Sequence, residues 1–151
     1  MRIGDILRPE DVITDLRAAD KRRLIDEVAR LSAGAAGVEA SEIAEALNAR
    51  ERLGSTGVGV GIAIPHARLP SLARPLGLFA RLRQPMDFEA IDGERVDLVF
   101  LLLLPAAAQG EQLNALACVA RRLRDERVRA ALRKARDRGG VYDALTRNGD
   151  G

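Results

Sequence analysis

Apolar residues recur at helical spacing twice near the start of the chain. Over 20–31, Leu24, Ile25, Val28 and Leu31 share one face, and Gly34 and Gly37 are expected to stop the helix. Ser41 is placed to cap a second helix, with Ile43, Ala46 and Leu47 on one side, running to Arg50 and ending at Gly54. After Gly54 the period shortens. Gly61 to Ile64 and Leu76 to Leu82 read as strands, and Asp92-Gly93 reads as a turn between Phe88–Ile91 and the next run. That run, Val96 to Leu104, is almost continuously apolar, as a strand covered on both faces must be, and Pro105 closes it. Helical spacing then returns over 112–123, with Leu113, Leu116, Ala117, Ala120 and Leu123. It recurs with Val128, Ala131, Leu132 and Ala135, is broken by Gly139-Gly140, and ends in a short helix over 141–145. Helices, then strands, then helices, around a strand with no polar face, predict a three-layer α/β/α domain. A single such domain, with a small mixed central sheet, is expected over 1–151.

Composition narrows the picture. The chain has 151 residues, 47% hydrophobic and 30% charged, which is globular rather than disordered. Trp is absent and aromatics make up 3%, so the core is expected to consist of Leu, Ile, Val and Ala. The single cysteine, Cys118, lies in an apolar helical stretch, reads as a small buried hydrophobe and allows no disulfide within the chain. No spacing of metal ligands occurs, so no metal and no cofactor are expected. The N-terminal MRIGDILRPEDV lacks the apolar core of a secretory signal, and no apolar run approaches the roughly 20 residues of a membrane span. A cytoplasmic location without membrane insertion is the expectation.

The net charge of +2 is unevenly spread. Nine basic residues stand against three acidic ones between Arg121 and Arg138, leaving the rest of the chain acidic. Such a segment suits an acidic partner or nucleic acid, but it suits solvated helix faces better. No aromatic residue interleaves to stack on bases, and no nucleic acid is expected to bind.

The only histidine, His66, sits in Gly54-Ser55-Thr56-Gly57-Val58-Gly59-Val60-Gly61-Ile62-Ala63-Ile64-Pro65-His66. Pro65, lacking an N–H, is expected to end the strand and leave His66 at its mouth beside a glycine-rich loop. The loop's N–H groups and hydroxyls could approach an anion. A lone histidine is more often structural. Among chemical roles, paired-histidine acid–base work is excluded, and no nucleophile-elbow serine motif is present. Accepting a phosphoryl group needs only one neutral imidazole, with a cation and hydrogen-bond donors nearby.

Glu51, Val58-Gly59 and Ile62-Ala63-Ile64-Pro65-His66-Ala67 together resemble the active-site signature of enzyme IIA of the fructose/mannitol type. These are phosphocarrier domains of the phosphoenolpyruvate-dependent phosphotransferase system. The stretches over 50–57 and 88–105 resemble its nitrogen-regulatory branch. The resemblance implies that His66 is phosphorylated on Nε2 by the phosphohistidine of an HPr-like carrier. It implies that Arg50, at the end of the second helix, faces the phosphoryl group, and it brings Ser55 in as a donor to a phosphate oxygen. Where the family usually has a second histidine, this chain has Gln112, which donates a hydrogen bond but carries no charge.

The nitrogen-regulatory resemblance implies a regulatory protein whose transient phosphohistidine switches partners such as potassium-transport regulators or sensor kinases. Two alternatives stand beside it. One is a sugar-specific enzyme IIA relaying phosphate to a transporter subunit. The other is a homologue that binds partners without being phosphorylated.

Overall fold

The computed structural model describes residues 1–107 and 109–147, without the side chains of residues 109, 111 and 112. Six strands form one mixed sheet: β1 (Val12–Leu16), β2 (Gly57–Gly59), β3 (Ile62–Ala63), β4 (His66–Leu69), β5 (Leu76–Met86) and β6 (Val96–Pro105). Five helices cover it: α1 (Lys21–Ala36), α2 (Ala40–Arg52), α3 (Gln109–Arg124), α4 (Glu126–Lys134) and α5 (Arg138–Thr146). The three-layer α/β reading holds.

β6 is the spine, because it alone is long and apolar on both faces. β5 runs antiparallel along one edge, with Leu78 opposite Leu101 and Phe79 opposite Phe100. β1 continues the sheet parallel to β5. The other edge of β6 is shared end to end by two short parallel strands. β3 pairs at Leu98 and Val99, and β4 pairs from Leu102 to Pro105. β2 hairpins onto β3.

Alternation along β6 splits the core. Val99, Leu101 and Leu103 pack against Leu24, Ile25, Val28, Ile43 and Leu47 of α1 and α2. Leu98, Phe100, Leu102 and Leu104 pack against Ala115, Val119, Leu123, Leu132, Val141 and Leu145 of α3 to α5. Three phenylalanines belong to this core, contrary to the expectation from composition. Phe79, Phe88 and Phe100 are all fully buried, and Phe79 meets Phe100 edge-on with centroids 6.3 Å apart.

Several boundaries differ from the sequence reading. Ser41 lies inside α2, whose N-cap is Glu39 without a side-chain cap. Gly34 is inside α1, which closes at Gly37. Phe88–Ile91 is not a strand, although the turn at Asp92-Gly93 stands, with Gly93 N–H donating to Ala90 O. Gly139-Gly140 does not break a helix. Both glycines lie in the first turn of α5, where Asp137 caps by accepting from Gly140 N–H at 2.9 Å. α4 stops earlier, where Ala135 turns extended. β1 carries no clear alternation and was not legible. On α3, Leu113 is 72% exposed and Ala117 is exposed, so the buried stripe is Ala115, Val119 and Leu123. Cys118 is partly exposed, and its thiol approaches Met1 O at 3.4 Å.

The basic segment has structural work that composition did not reveal. Helix C-termini present unpaired carbonyls that favour cations. Arg129 donates to Leu123 O and Arg124 O at the end of α3. Arg122 donates to Ala144 O, Leu145 O and Arg147 O at the end of α5. Arg81, from β5, donates to Leu132 O and Ala135 O at the end of α4 and to Thr14 O in β1.

Candidate active site

The interruption between β3 and β4 builds the site. A continuous strand would pair along the whole edge of β6, but Pro65 has no N–H to offer. The ladder breaks at Ile64-Pro65. Ile64 N–H turns outward to Thr56 O at 2.9 Å, and Pro65 O accepts from Leu102 N–H, also at 2.9 Å. His66 therefore opens a new strand rather than standing at the mouth of a finished one, which corrects the sequence reading. Ala67 and Leu69 face the α1/α2 core, so alternation puts His66 on the opposite face, the side of α3.

The same break fixes the imidazole. His66 Nδ1 lies 2.8 Å from Ile64 O. A carbonyl oxygen only accepts, so Nδ1 carries the proton and Nε2 keeps its lone pair. Nε2 has no hydrogen-bond partner among the described residues. Burial pushes the His66 pKa below its ordinary value. The Ile64 hydrogen bond opposes this, the field of Arg50 adds to it, and Glu51 weakly opposes it. The ring is therefore neutral at physiological pH, with a directed, free nucleophilic nitrogen.

Arg50 lies on the last turn of α2. Its Nη1 donates to Gly54 O at 2.9 Å, and it has no carboxylate partner among the described residues. Its charge acts on the imidazole and adds to the lowering of the His66 pKa. Ser55, expected to donate to a phosphate oxygen, gives its proton instead to Phe88 O at 2.9 Å, and its oxygen accepts from Gly57 N–H at 3.0 Å. That hydroxyl shapes the loop. Gly57 is fixed in the same place by space, because a Cβ there would lie 2.8 Å from the Ala90 Cβ. Gln112 lies in α3, but its side chain falls outside the described residues.

Glu51 had no role assigned from sequence. Its side chain is only 6% exposed and takes Lys21 Nζ at 2.9 Å. It also accepts from Thr56 N–H at 3.0 Å and from Thr56 Oγ1. Lys21 Nζ stands 4.6 Å from the centre of the Phe88 ring. Glu51 could be singled out in sequence only as part of a motif, and Lys21, thirty residues earlier, carried no signal. Among the described residues no group of side chains could hold a metal ion, and no helix is long and apolar enough to cross a membrane.

Comparison with known proteins matches this arrangement to a family. Residues 5–148 match the model of the phosphoenolpyruvate-dependent sugar phosphotransferase system, EIIA 2. A nitrogen regulatory protein of Bradyrhizobium diazoefficiens is 45% identical over 145 residues, covering 96% of this chain and 95% of that protein. One of Pseudomonas aeruginosa is 41% identical over 146 residues, with 96% and 95% covered. The crystal structure of the nitrogen regulatory protein IIA-Ntr from Neisseria meningitidis superposes with a TM-score of 0.91 at 37% identity, covering 95% of this chain and 99% of that one. IIA mannitol from Escherichia coli shares the fold at 20% identity, with a TM-score of 0.78 over 92% of this chain and 98% of its own. With a family match over nearly its whole length and nitrogen regulatory proteins among its relatives, the chain belongs to the EIIA type-2 family of the phosphoenolpyruvate-dependent phosphotransferase system.

Proposed function

We propose that this chain is a regulatory phosphocarrier that accepts a phosphoryl group on Nε2 of His66 from the phosphohistidine of an HPr-like carrier, and that the charge so gained switches its protein partners. The observation that carries the reading is the Nδ1–H to Ile64 O hydrogen bond at 2.8 Å. It fixes the tautomer in which Nε2 attacks. As the Nε2–P bond forms, the carrier's N–P bond breaks, and Nδ1 keeps its proton in place. Arg50, whose charge acts on the ring and which has no carboxylate partner among the described residues, stabilises the phosphoryl oxygens in this reading, and the neutral amide of Gln112 is assigned to them from the family resemblance. Partners such as potassium-transport regulators or sensor kinases fit the nitrogen-regulatory relatives. A single EIIA domain over 1–151, acting in the cytoplasm without nucleic acid, completes the reading.

The test is incubation with phosphoenolpyruvate, the general phosphotransferase enzyme and its carrier, read by intact mass. One added, acid-labile phosphoryl group supports the proposal, and none returns the chain to a partner-binding homologue. Adding sugar-transporter subunits then decides between regulation and relay. Rapid discharge to a sugar in their presence would establish the relay.

A further inference from the structure

A path of hydrogen bonds, joined through the backbones of Thr56 and Ile64, runs from the first residue of α1 to the imidazole. Lys21 Nζ pairs with Glu51 Oε1 at 2.9 Å. Glu51 accepts from both the N–H and the Oγ1 of Thr56. Thr56 O accepts from Ile64 N–H at 2.9 Å, and Ile64 O accepts from His66 Nδ1 at 2.8 Å. We propose that Lys21 and Glu51 are positioning residues for His66, holding through Thr56 the backbone of Ile64, whose carbonyl selects the Nδ1–H tautomer and frees Nε2.

The placement of Lys21 supports this. A cation in the first turn of a helix opposes the helix dipole, and the favourable charge at this end of α1 comes from the Asp20 cap, which accepts from Arg23 N–H. Lys21 is nonetheless drawn inward until its side chain is 17% exposed, where it meets a carboxylate that is itself only 6% exposed. A carboxylate so far from water needs its charge matched and its lone pairs filled. Lys21 and Thr56 do both. Removing Lys21 leaves the Glu51 charge uncompensated, and relieving that means moving Glu51 toward water. That movement loosens Thr56, and with it the backbone of Ile64. Once Ile64 O turns away, the imidazole is free to carry its proton on Nε2, where it blocks attack. The path acts on the ring through one carbonyl and touches no phosphoryl oxygen.

This inference rests on the phosphoryl-acceptor reading, but its first measurement does not. The chain has one histidine, so its two imidazole ¹⁵N resonances need no assignment to a residue, and their couplings to the ring protons tell Nδ1 from Nε2. At a pH where the ring is neutral, those shifts give the Nδ1–H fraction in the full-length protein. Lys21→Met and Glu51→Gln are expected to lower that fraction. They should also slow phosphoryl uptake from both the carrier and phosphoramidate, a small donor that needs no docking, by about tenfold. Lys21→Arg is expected to restore most of both. A folded Lys21→Met protein with unchanged ¹⁵N shifts would overturn the proposal and leave the pair as a tie between α1 and α2. If Lys21→Met does not fold, Thr56→Val decides, since it removes the Oγ1 link and keeps the backbone N–H. A shift toward the Nε2–H form supports the path, and no shift overturns it. If wild-type protein takes no phosphoryl group from either donor, the functional reading falls, while the ¹⁵N comparison still decides the positioning.

Discussion

Two glycine-flanked turns, Gly54–Gly57 and Gly59–Gly61, stand side by side in sequence and are held in opposite ways. The first is gripped mostly by side chains of α2 and of the loop itself, with the Ser55–Phe88 bond as its one long-range side-chain tie. Arg50 donates to Gly54 O, Glu51 accepts from Thr56, and Ser55 bonds both Phe88 O and Gly57 N–H. The second is the tip of the β2–β3 hairpin and is gripped from far along the chain. Asp92 accepts from Val60 N–H at 3.0 Å, and Arg133 donates to Val60 O at 3.1 Å while pairing in fork geometry with Asp97. Val60 has φ 51 there, in the left-handed region that a β-branched residue rarely adopts. The backbone strain is thus placed at the hairpin tip, and the loop beside His66 is fixed by hydrogen bonds instead. The first turn should govern chemistry and the second stability.

The largest expected effect tests the first half of that contrast. His66→Ala should abolish the acid-labile label while the protein stays folded, and label surviving in that variant would place the site elsewhere. Arg50→Ala should follow, slowing phosphoryl uptake on the order of 10²–10³-fold with little change in thermal midpoint. An unchanged rate would make Arg50 only a cap for Gly54 O.

The hairpin tip should behave in reverse. Gly61 has φ 83, and a Cβ there would lie 2.4 Å from Arg133 Nη2. Gly61→Ala should therefore cost about 1–3 kcal/mol in denaturant unfolding, from backbone strain and displacement of Arg133, with the uptake rate per folded molecule near wild type. A large loss of rate without loss of stability would break the division between the turns. Val60→Gly relieves the same strain from the other side and should raise stability by up to about 1 kcal/mol, less the entropy that glycine adds to the unfolded chain. Destabilisation by Val60→Gly would mean that the exposed valine side chain contributes more than its backbone costs.

The smallest expected effect is one of pH. The His66 pKa is depressed in the folded protein, chiefly by burial, while the unfolded chain titrates near the ordinary value. Between the two, the unfolded state binds more protons. This contribution to stability is complete above about 6.5, the ordinary value, and falls as pH drops from there through the folded pKa. Phosphoryl uptake should stay level as pH falls through 6.5 and decline only below the folded pKa. A ¹⁵N titration of the single imidazole checks the sign, and a pKa above the ordinary value would contradict it.

Much of this molecule was legible in its residues. Helical spacing marked α1 and α2 because each buries one clean apolar stripe. The unbroken apolar run of β6 announced a strand covered on both faces, and three layers followed from it. The motif ending Ile64-Pro65-His66 marked the candidate site through its resemblance to the enzyme IIA signature. Part of the α3 stripe was misplaced for a physical reason. Leu116, Ala120 and Leu123 do pack against the core, but Leu113 and Ala117 fit the helical period as well as Ala115 and Val119 do, and only packing against β6 chooses between them. Short residues next to a crowded sheet can be the buried ones.

What the sequence determined by itself was therefore the layer order and the spine strand, because local periodicity is enough for both, while the family signature marked the candidate nucleophile. Tertiary structure decided the rest. It set the tautomer of His66, which depends on a carbonyl freed where β3 and β4 fail to join along β6. It brought Lys21 to Glu51 across two helices. It turned Arg81, Arg122 and Arg129, which composition counted only as charge, into caps for three helix ends. Each is a hydrogen bond or ion pair, some between groups a few residues apart, as at His66 and Arg129, and some between distant ones, as at Lys21 and Arg81. Its geometry comes from how the elements pack, and no spacing along the sequence encodes it.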